Sequence, residues 1–155
     1  MNEILRIAGY ASLFGQADMA GDIVRPGAFA ARLMRRGAGG VRMLYQHEAS
    51  EPIGVWTSMR EDDRGLYVEG HIQPSGPRGQ TALTLLRSGA VDGLSIGYRP
   101  ERVRPIASGR ELLEVDLWEV SIVTFPMLSD ARLRLLPDPA PDPLPIPSPE
   151  TQAVL

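Results

Sequence analysis

The chain has 155 residues, 43% of them hydrophobic, and a formal net charge of −3 at pH 7. This length favours one domain with a substantial core. The sequence holds no cysteine and two histidines, which excludes a disulfide framework, thiolate chemistry and a metal site built from several histidines. No apolar run approaches the roughly 18 residues that span a bilayer, and residues 1–6 lack the pattern of a signal peptide. We therefore expect a protein of the cytosol, or of a particle assembled there.

The charge is unevenly divided along the chain. All 16 basic residues are arginine, and all of them lie before Pro137. Of the 19 acidic residues, only Asp138, Asp142 and Glu150 lie beyond it, so residues 1–136 are formally neutral and the remainder carries the −3. No basic stripe interleaved with aromatic residues occurs, which disfavours nucleic-acid binding.

Seven strands and two helices are predicted from the periodicity of apolar residues. Alternation predicts strands over residues 4–14, 22–24, 41–46, 53–59, 66–72, 94–99 and 111–125. One helix is predicted over 26–36, with Phe29, Leu33 and Met34 as its buried stripe, and a second over 78–88. A final helical turn or two is expected at 129–136. The hairpin signals indicate antiparallel pairing and therefore a mostly β (α+β) barrel or sandwich with the helices outside.

The end of the chain differs in composition from the rest. Proline occupies every odd position from Pro137 to Pro149, a pattern that excludes a helix or a central strand. We interpret residues 137–155 as a disordered tail or spacer, with a ligand for an aromatic groove as the alternative. Residues 1–136 then form the folded domain.

The stretch at 89–98 presents a serine in an open backbone. Ser95 alternates with Leu94 and Ile96 in a predicted strand, and a glycine lies two residues to either side of it. Such glycines allow a substrate to approach closely. A serine nucleophile needs this kind of setting, although a plain strand serine beside a turn is the commoner explanation.

Two further residues complete a candidate set of nucleophile, base and orienting carboxylate. His47 follows a predicted strand, where an imidazole can accept a proton near neutral pH. Glu119 is a carboxylate in an otherwise apolar strand and can hold the other ring nitrogen. The alternatives are a boundary histidine, a solvent-facing Glu119, and His71 as the base. In strand register Glu119 shares a face with Leu117, Ser121 and Val123. The other acidic residues of this strand, Glu114 and Asp116, share the opposite face with Trp118 and Val120 unless a bulge intervenes.

Five segments together carry a family resemblance. They read GDIVRPGAF, LYQH followed by PIG, GLYVEG, GLSIGY and LWEVSIVTFP, at residues 21–29, 44–47 with 52–54, 65–70, 93–98 and 117–126. In this order and spacing, across residues 7–131, they resemble the prohead maturation proteases of tailed bacteriophages and related gene transfer agents. Those enzymes are similar in fold to the herpesvirus assemblins, which implies an assemblin-like antiparallel β-barrel.

The resemblance implies a function and a set of site residues. His47 and Ser95 match the catalytic histidine and serine, and Glu119 fits the acidic third position. The assemblins also use a paired arginine for the oxyanion; Arg132 and Arg134 are its nearest counterpart here, and backbone N–H groups can serve instead. No metal or organic cofactor is implied.

The resemblance also implies partners and a location. The substrate would be the N-terminal segment of the major capsid protein, a scaffold, and the enzyme itself, inside the immature capsid in the bacterial cytoplasm; a homodimer is implied as well. Two other functions stay open: a non-catalytic internal scaffold or capsid-binding module on the same fold, and another serine hydrolase such as an esterase.

Overall fold

The computed structural model describes residues 4–137 and 143–145. The strands are β1 (Leu5–Leu13), β2 (Asp22–Val24), β3 (Arg42–Tyr45), β4 (Gly54–Glu61), β5 (Gly65–Ile72), β6 (Gly93–Ile106), β7 (Gly109–Val123) and β8 (Leu133–Leu135). The helices are α1 (Ala30–Arg36) and α2 (Pro77–Ser88), with a short 3-10 turn at Ala38–Gly40. No helix in the described part of the chain has the length and apolarity to cross a membrane. The mostly β class with two helices is confirmed.

One sheet connects all eight strands in the order β2-β7-β3-β4-β5-β1-β8, with β6 on the other edge of β7. The pairing is antiparallel except along β7, where β2 and β3 lie end to end and run parallel to it. The antiparallel pairing expected from the hairpin signals holds for the hairpins, and the two parallel pairings along β7 are the exception. The segment between β2 and β3 contains α1 and reverses the chain, so both strands enter the sheet in the same direction.

The sheet curves toward a barrel without closing. Segment 131–133 meets the start of β6 through a single bridge, in which Leu94 N–H donates to Ala131 O and Leu133 N–H donates to Asp92 O, each at 2.9 Å. The helical turn expected at 129–136 is wrong, because β8 pairs with β1 and its backbone groups are satisfied there. Gly9 permits this contact: a Cβ at Gly9 would lie 2.8 Å from Leu133 Cα.

The core lies inside the curved sheet and under the two helices. Its largest fully buried side chains include Trp56 and Phe29, each stabilising the fold by about 1.5–3 kcal/mol or more. Met34 is 88% exposed, so its expected place in the buried stripe of α1 is wrong. The helix begins only at Ala30, because Glu61 accepts the N–H groups of Gly27 and Phe29, both at 3.1 Å, and holds them in a turn.

The proline-rich tail predicted over 137–155 falls outside the described residues except for Pro137 and 143–145, which have no regular secondary structure.

Candidate active site

The long hairpin of β6 and β7 brings two of the three predicted residues onto neighbouring strands. Ser95 pairs with Ser121, and Gly97 pairs with Glu119. Residues directly opposite in an antiparallel pair lie on the same face. Ser95 and Glu119 therefore belong to neighbouring pairs of the β6–β7 ladder and lie on the same face, opposite to the buried Leu94.

A bulge in β7 decides which way Glu119 faces. Gly97 pairs with Glu119 but Tyr98 pairs with Leu117, so Trp118 is the extra residue. Leu117 before the bulge and Val120 after it are both buried, although three positions separate them. The expectation that Glu119 shares a face with Leu117 is therefore wrong. The bulge shifts the alternation by one and keeps the carboxylate out of the core.

Gly97 gives the Glu119 side chain its space. A Cβ at Gly97 would lie 2.7 Å from Glu119 Cγ, which is closer than real side chains approach. The carboxylate thus lies across the bare backbone of β6, where its Oε2 accepts a hydrogen bond from Ser121 Oγ at 2.7 Å. Its side chain is 13% exposed, so most of its surface is removed from water.

His47 lies directly after β3, in an unusual backbone turn. Gln46 and His47 have φ of +54° and +59°, the left-handed region that non-glycine residues seldom occupy. Gln46 N–H donates to Ile122 O at 2.9 Å, and His47 N–H donates to Ser121 Oγ at 3.0 Å. A reciprocal pair of side-chain and backbone bonds between Gln46 and Thr124 (2.7 and 3.3 Å) closes the turn onto β7.

The His47 imidazole contacts the Glu119 carboxylate through Nδ1 and Oε1. This hydrogen bond raises the pKa of His47 above its ordinary value, against the opposing effect of partial burial. With Nδ1–H bound to the carboxylate, Nε2 of the neutral ring is left as an acceptor. The imidazole side chain is 43% exposed, so part of the ring is open to solvent.

Ser95 is 4% exposed, and its Oγ makes no hydrogen bond with any residue in the described ranges. His47 and Glu119 together have the parts of a charge-stabilised general base, whereas the hydroxyl of the candidate nucleophile Ser95 is not hydrogen-bonded to them. Ser95 also lines a small cavity of about 30 Å³ with Asp18 and Met127. A larger cavity of about 470 Å³ lies between α1 and β4 and contains none of the three residues, so it is not the site.

The alternative residues lie elsewhere. His71 is in β5, opposite Arg6 and Val55, and contacts Gln73. Asp116 forms an ion pair with Arg36 at 2.9 Å and faces away from His47. Within residues 4–137 and 143–145, no cluster of three or more His, Asp or Glu residues suited to a metal ion occurs.

The two arginines considered for the oxyanion have other partners. Arg132 donates to Asp92 at 2.7 Å and to Ser129 O at 2.9 Å. Arg134 donates to Tyr67 Oη at 2.6 Å. Neither guanidinium is directed at Ser95 by these contacts. Sequence reasoning also missed Ser121, whose position two residues after Glu119 was the available signal.

Comparison with known proteins gives the family. The family described as caudovirus prohead serine protease matches residues 1–137. The prohead protease of Enterobacteria phage HK97 is 36% identical over 122 residues, which are 76% of this chain and 54% of that protein. The capsid polyprotein of Pseudomonas phage PAJU2 is 29% identical over 101 residues, covering 60% of this chain and 15% of that protein.

A solved structure supports the same assignment at the level of fold. The KSHV protease, determined in complex with a hexapeptide phosphonate inhibitor, superposes with a TM-score of 0.58 over 88% of this chain and 66% of that chain, at 11% identity. The chain spans about half the length of its HK97 relative. Because the family match extends over the whole body that carries His47, Ser95 and Glu119, this chain belongs to the caudovirus prohead serine proteases.

Proposed function

We propose that this chain is a serine endopeptidase that cleaves capsid or scaffold protein during maturation of a procapsid. The observation that carries the proposal is the contact of His47 with Glu119 on the face of the β6–β7 ladder that also carries Ser95. Family membership supplies the reaction class. The relative named a capsid polyprotein favours a capsid protein as the substrate.

In the proposed mechanism His47 Nε2 takes the proton of Ser95 Oγ as that oxygen attacks the scissile carbonyl carbon. Glu119 holds Nδ1–H and stabilises the imidazolium that forms. The tetrahedral intermediate then releases the amine, which receives the proton from His47, and leaves an acyl group on Ser95. Water activated by His47 removes that group. The free Ser95 hydroxyl must turn toward Nε2 when the peptide binds, and catalytic hydrogen bonds commonly tighten at that stage.

The substrate is proposed to bind as an extended peptide. The KSHV structure holds a hexapeptide inhibitor, and the half-exposed His47 imidazole lies beside the β6–β7 ladder. The proposed setting is the interior of an immature capsid in the bacterial host, with self-cleavage and a homodimer as further parts of the proposal. Whether the particle belongs to a phage or a gene transfer agent does not alter the chemistry.

Among the described residues no hydrogen bond joins Ser95 Oγ to His47, which favours one rival, a non-catalytic scaffold module with this fold. Co-expression with the matching capsid protein separates the two. We expect the parent chain to shorten the capsid protein, and Ser95→Ala to leave it intact while still co-purifying with the particle. Glu114→Gln is the matched control, because Glu114 lies in β7 before the bulge and contacts none of the three residues; it should cleave like the parent. Cleavage by Ser95→Ala at the parent level would contradict the proposal, as would an inactive parent chain.

A further inference from the structure

Ser121 occupies the centre of the three strands that build the site. It pairs with Leu44 of β3 on one side and with Ser95 of β6 on the other. It is completely buried, unlike the partly exposed His47 and Glu119. A hydroxyl in that position needs hydrogen-bond partners, because burying it without them costs free energy.

The Ser121 hydroxyl finds both of its partners within the proposed catalytic set. Its single proton is donated to Glu119 Oε2 at 2.7 Å, since an ionised carboxylate can only accept. Its lone pair accepts the backbone N–H of His47 at 3.0 Å. The proton is therefore committed, and Ser121 cannot act as the nucleophile or as a donor to Ser95 in this arrangement.

The bond to His47 N–H matters because that residue is strained. Two consecutive non-glycine residues in the left-handed region are strained, and such a turn persists only where its surroundings fix it. The anchors are the bond from Gln46 N–H to Ile122 O, the paired bonds between the Gln46 side chain and Thr124, and the bond from His47 N–H to Ser121 Oγ. Of these, only the bond to Ser121 Oγ holds the backbone of His47 itself.

We propose that Ser121 is the positioning residue of this site. Its one hydroxyl holds both the backbone of the proposed base, His47, and the orienting carboxylate of Glu119. The roles named for His47 and Glu119 rest on the proposed function. Oε1 of Glu119 is directed at Nδ1 because Oε2 is held by Ser121. Without the hydroxyl, the carboxylate can rotate and the His47 N–H loses its hydrogen-bond acceptor, while the bonds between Gln46 and Thr124 remain.

The test compares Ser121→Ala with Ser121→Thr, which restores a hydroxyl, and with Ser58→Ala as a control in β4 that touches none of the site residues. We expect Ser121→Ala to lower kcat roughly 10- to 100-fold with little change in KM. This loss is smaller than the roughly 10²–10⁴-fold that a general base supplies, because the base is misplaced and not removed. Ser121→Thr should recover most of the loss. If alanine prevents folding, Ser121→Cys keeps the volume with a weaker donor and serves in its place.

Imidazole NMR provides a readout that requires no substrate. The chain has two histidines, so a His71→Gln background leaves the His47 signals alone. Glu119 is the charged group that acts on the ring, and its looser contact in Ser121→Ala should bring the His47 pKa down toward its ordinary value. The Nδ1–H resonance should also move.

The outcomes separate positioning from a purely structural role. Unchanged His47 signals in Ser121→Ala overturn the proposal, whether the rate stays at the parent level or falls together with the melting temperature. If Ser95→Ala cleaves like the parent, the proposed function fails instead, while the NMR comparison still decides whether Ser121 orients His47 and Glu119.

Discussion

At the residue scale, the contact between His47 and Glu119 predicts a specific pH dependence. The base must be neutral to accept a proton, so kcat/KM should rise with pH through the raised pKa of His47. Glu119→Gln removes the charge that raises this pKa, so the acid limb should move to lower pH. The maximal rate should fall roughly ten- to thousand-fold, less than the 10⁴-fold known for a fully buried orienting acid. The measurement is a pH profile of peptide cleavage, with Glu114→Gln as control; an unmoved limb would exclude Glu119 as the orienter.

The same contact affects stability in the opposite direction. A histidine whose pKa is raised by folding stabilises the native state fully below its unfolded pKa. This contribution is lost as the pH rises through the raised folded value. The pair therefore stabilises the fold least where the proposed base is neutral and the proposed activity is highest.

The candidate residues could be selected from the sequence, but their geometry could not be predicted from it. The segments around His47, Ser95 and Glu119 carry recognisable motifs, and their chemistry suggests the roles. The left-handed turn at Gln46–His47 contains no glycine or asparagine, the residues from which such a turn is usually predicted. Ser121 looked like an ordinary strand serine because its partners come from other parts of the chain.

At the element scale, the bulge in β7 is the feature that strand periodicity could not supply. Simple alternation places Glu119 with Leu117, and only tertiary contacts show where the extra residue enters. One such contact is Arg36, at the end of α1, which donates to Leu117 O at 2.8 Å and pairs with Asp116. Trp118 Nε1 donates to the same carboxylate at 3.0 Å. The last residue of α1 thus contacts the two β7 residues that directly precede the bulge.

We therefore expect Arg36→Ala to destabilise the protein. The Asp116 carboxylate is buried, and loss of its cation leaves a charge with only the Trp118 donor. The cost should be about 1–3 kcal/mol, discounted from the value for a fully buried pair because Arg36 is one-third exposed. Urea unfolding measures it, with Arg35→Ala as the control one residue away, which forms no ion pair with the residues that the structure describes. Equal urea midpoints for the two variants would show that the contacts of Arg36 with Asp116 and Leu117 do not stabilise the fold. Asp116→Asn should also lower stability, whereas it would be harmless if this side chain faced solvent.

At the scale of the whole molecule, β7 is the strand on which the fold depends. It pairs with β6 along one edge and with β2 and β3 along the other, so the half that carries Glu119 is held from both sides. The candidate base His47 directly follows β3, and the candidate nucleophile Ser95 lies in β6. Antiparallel hairpins and two helices were predictable from local periodicity, whereas the parallel edge and the strand β8 depend on contacts distant in sequence.

The end of the body predicts where the chain can be shortened. Leu136 N–H donates to Arg6 O at 2.9 Å, and Pro137 O accepts from the Arg6 side chain at 3.3 Å, so the ladder with β1 extends to this point. Truncation after Pro137 removes only the proline-rich segment and should shift Tm by less than about 2 °C, equivalent to well under 1 kcal/mol. Truncation after Arg132 also removes β8 and its buried Leu133, and should lower Tm far more. Scanning calorimetry of both chains makes the comparison; a large drop in the first would place part of residues 138–155 within the fold.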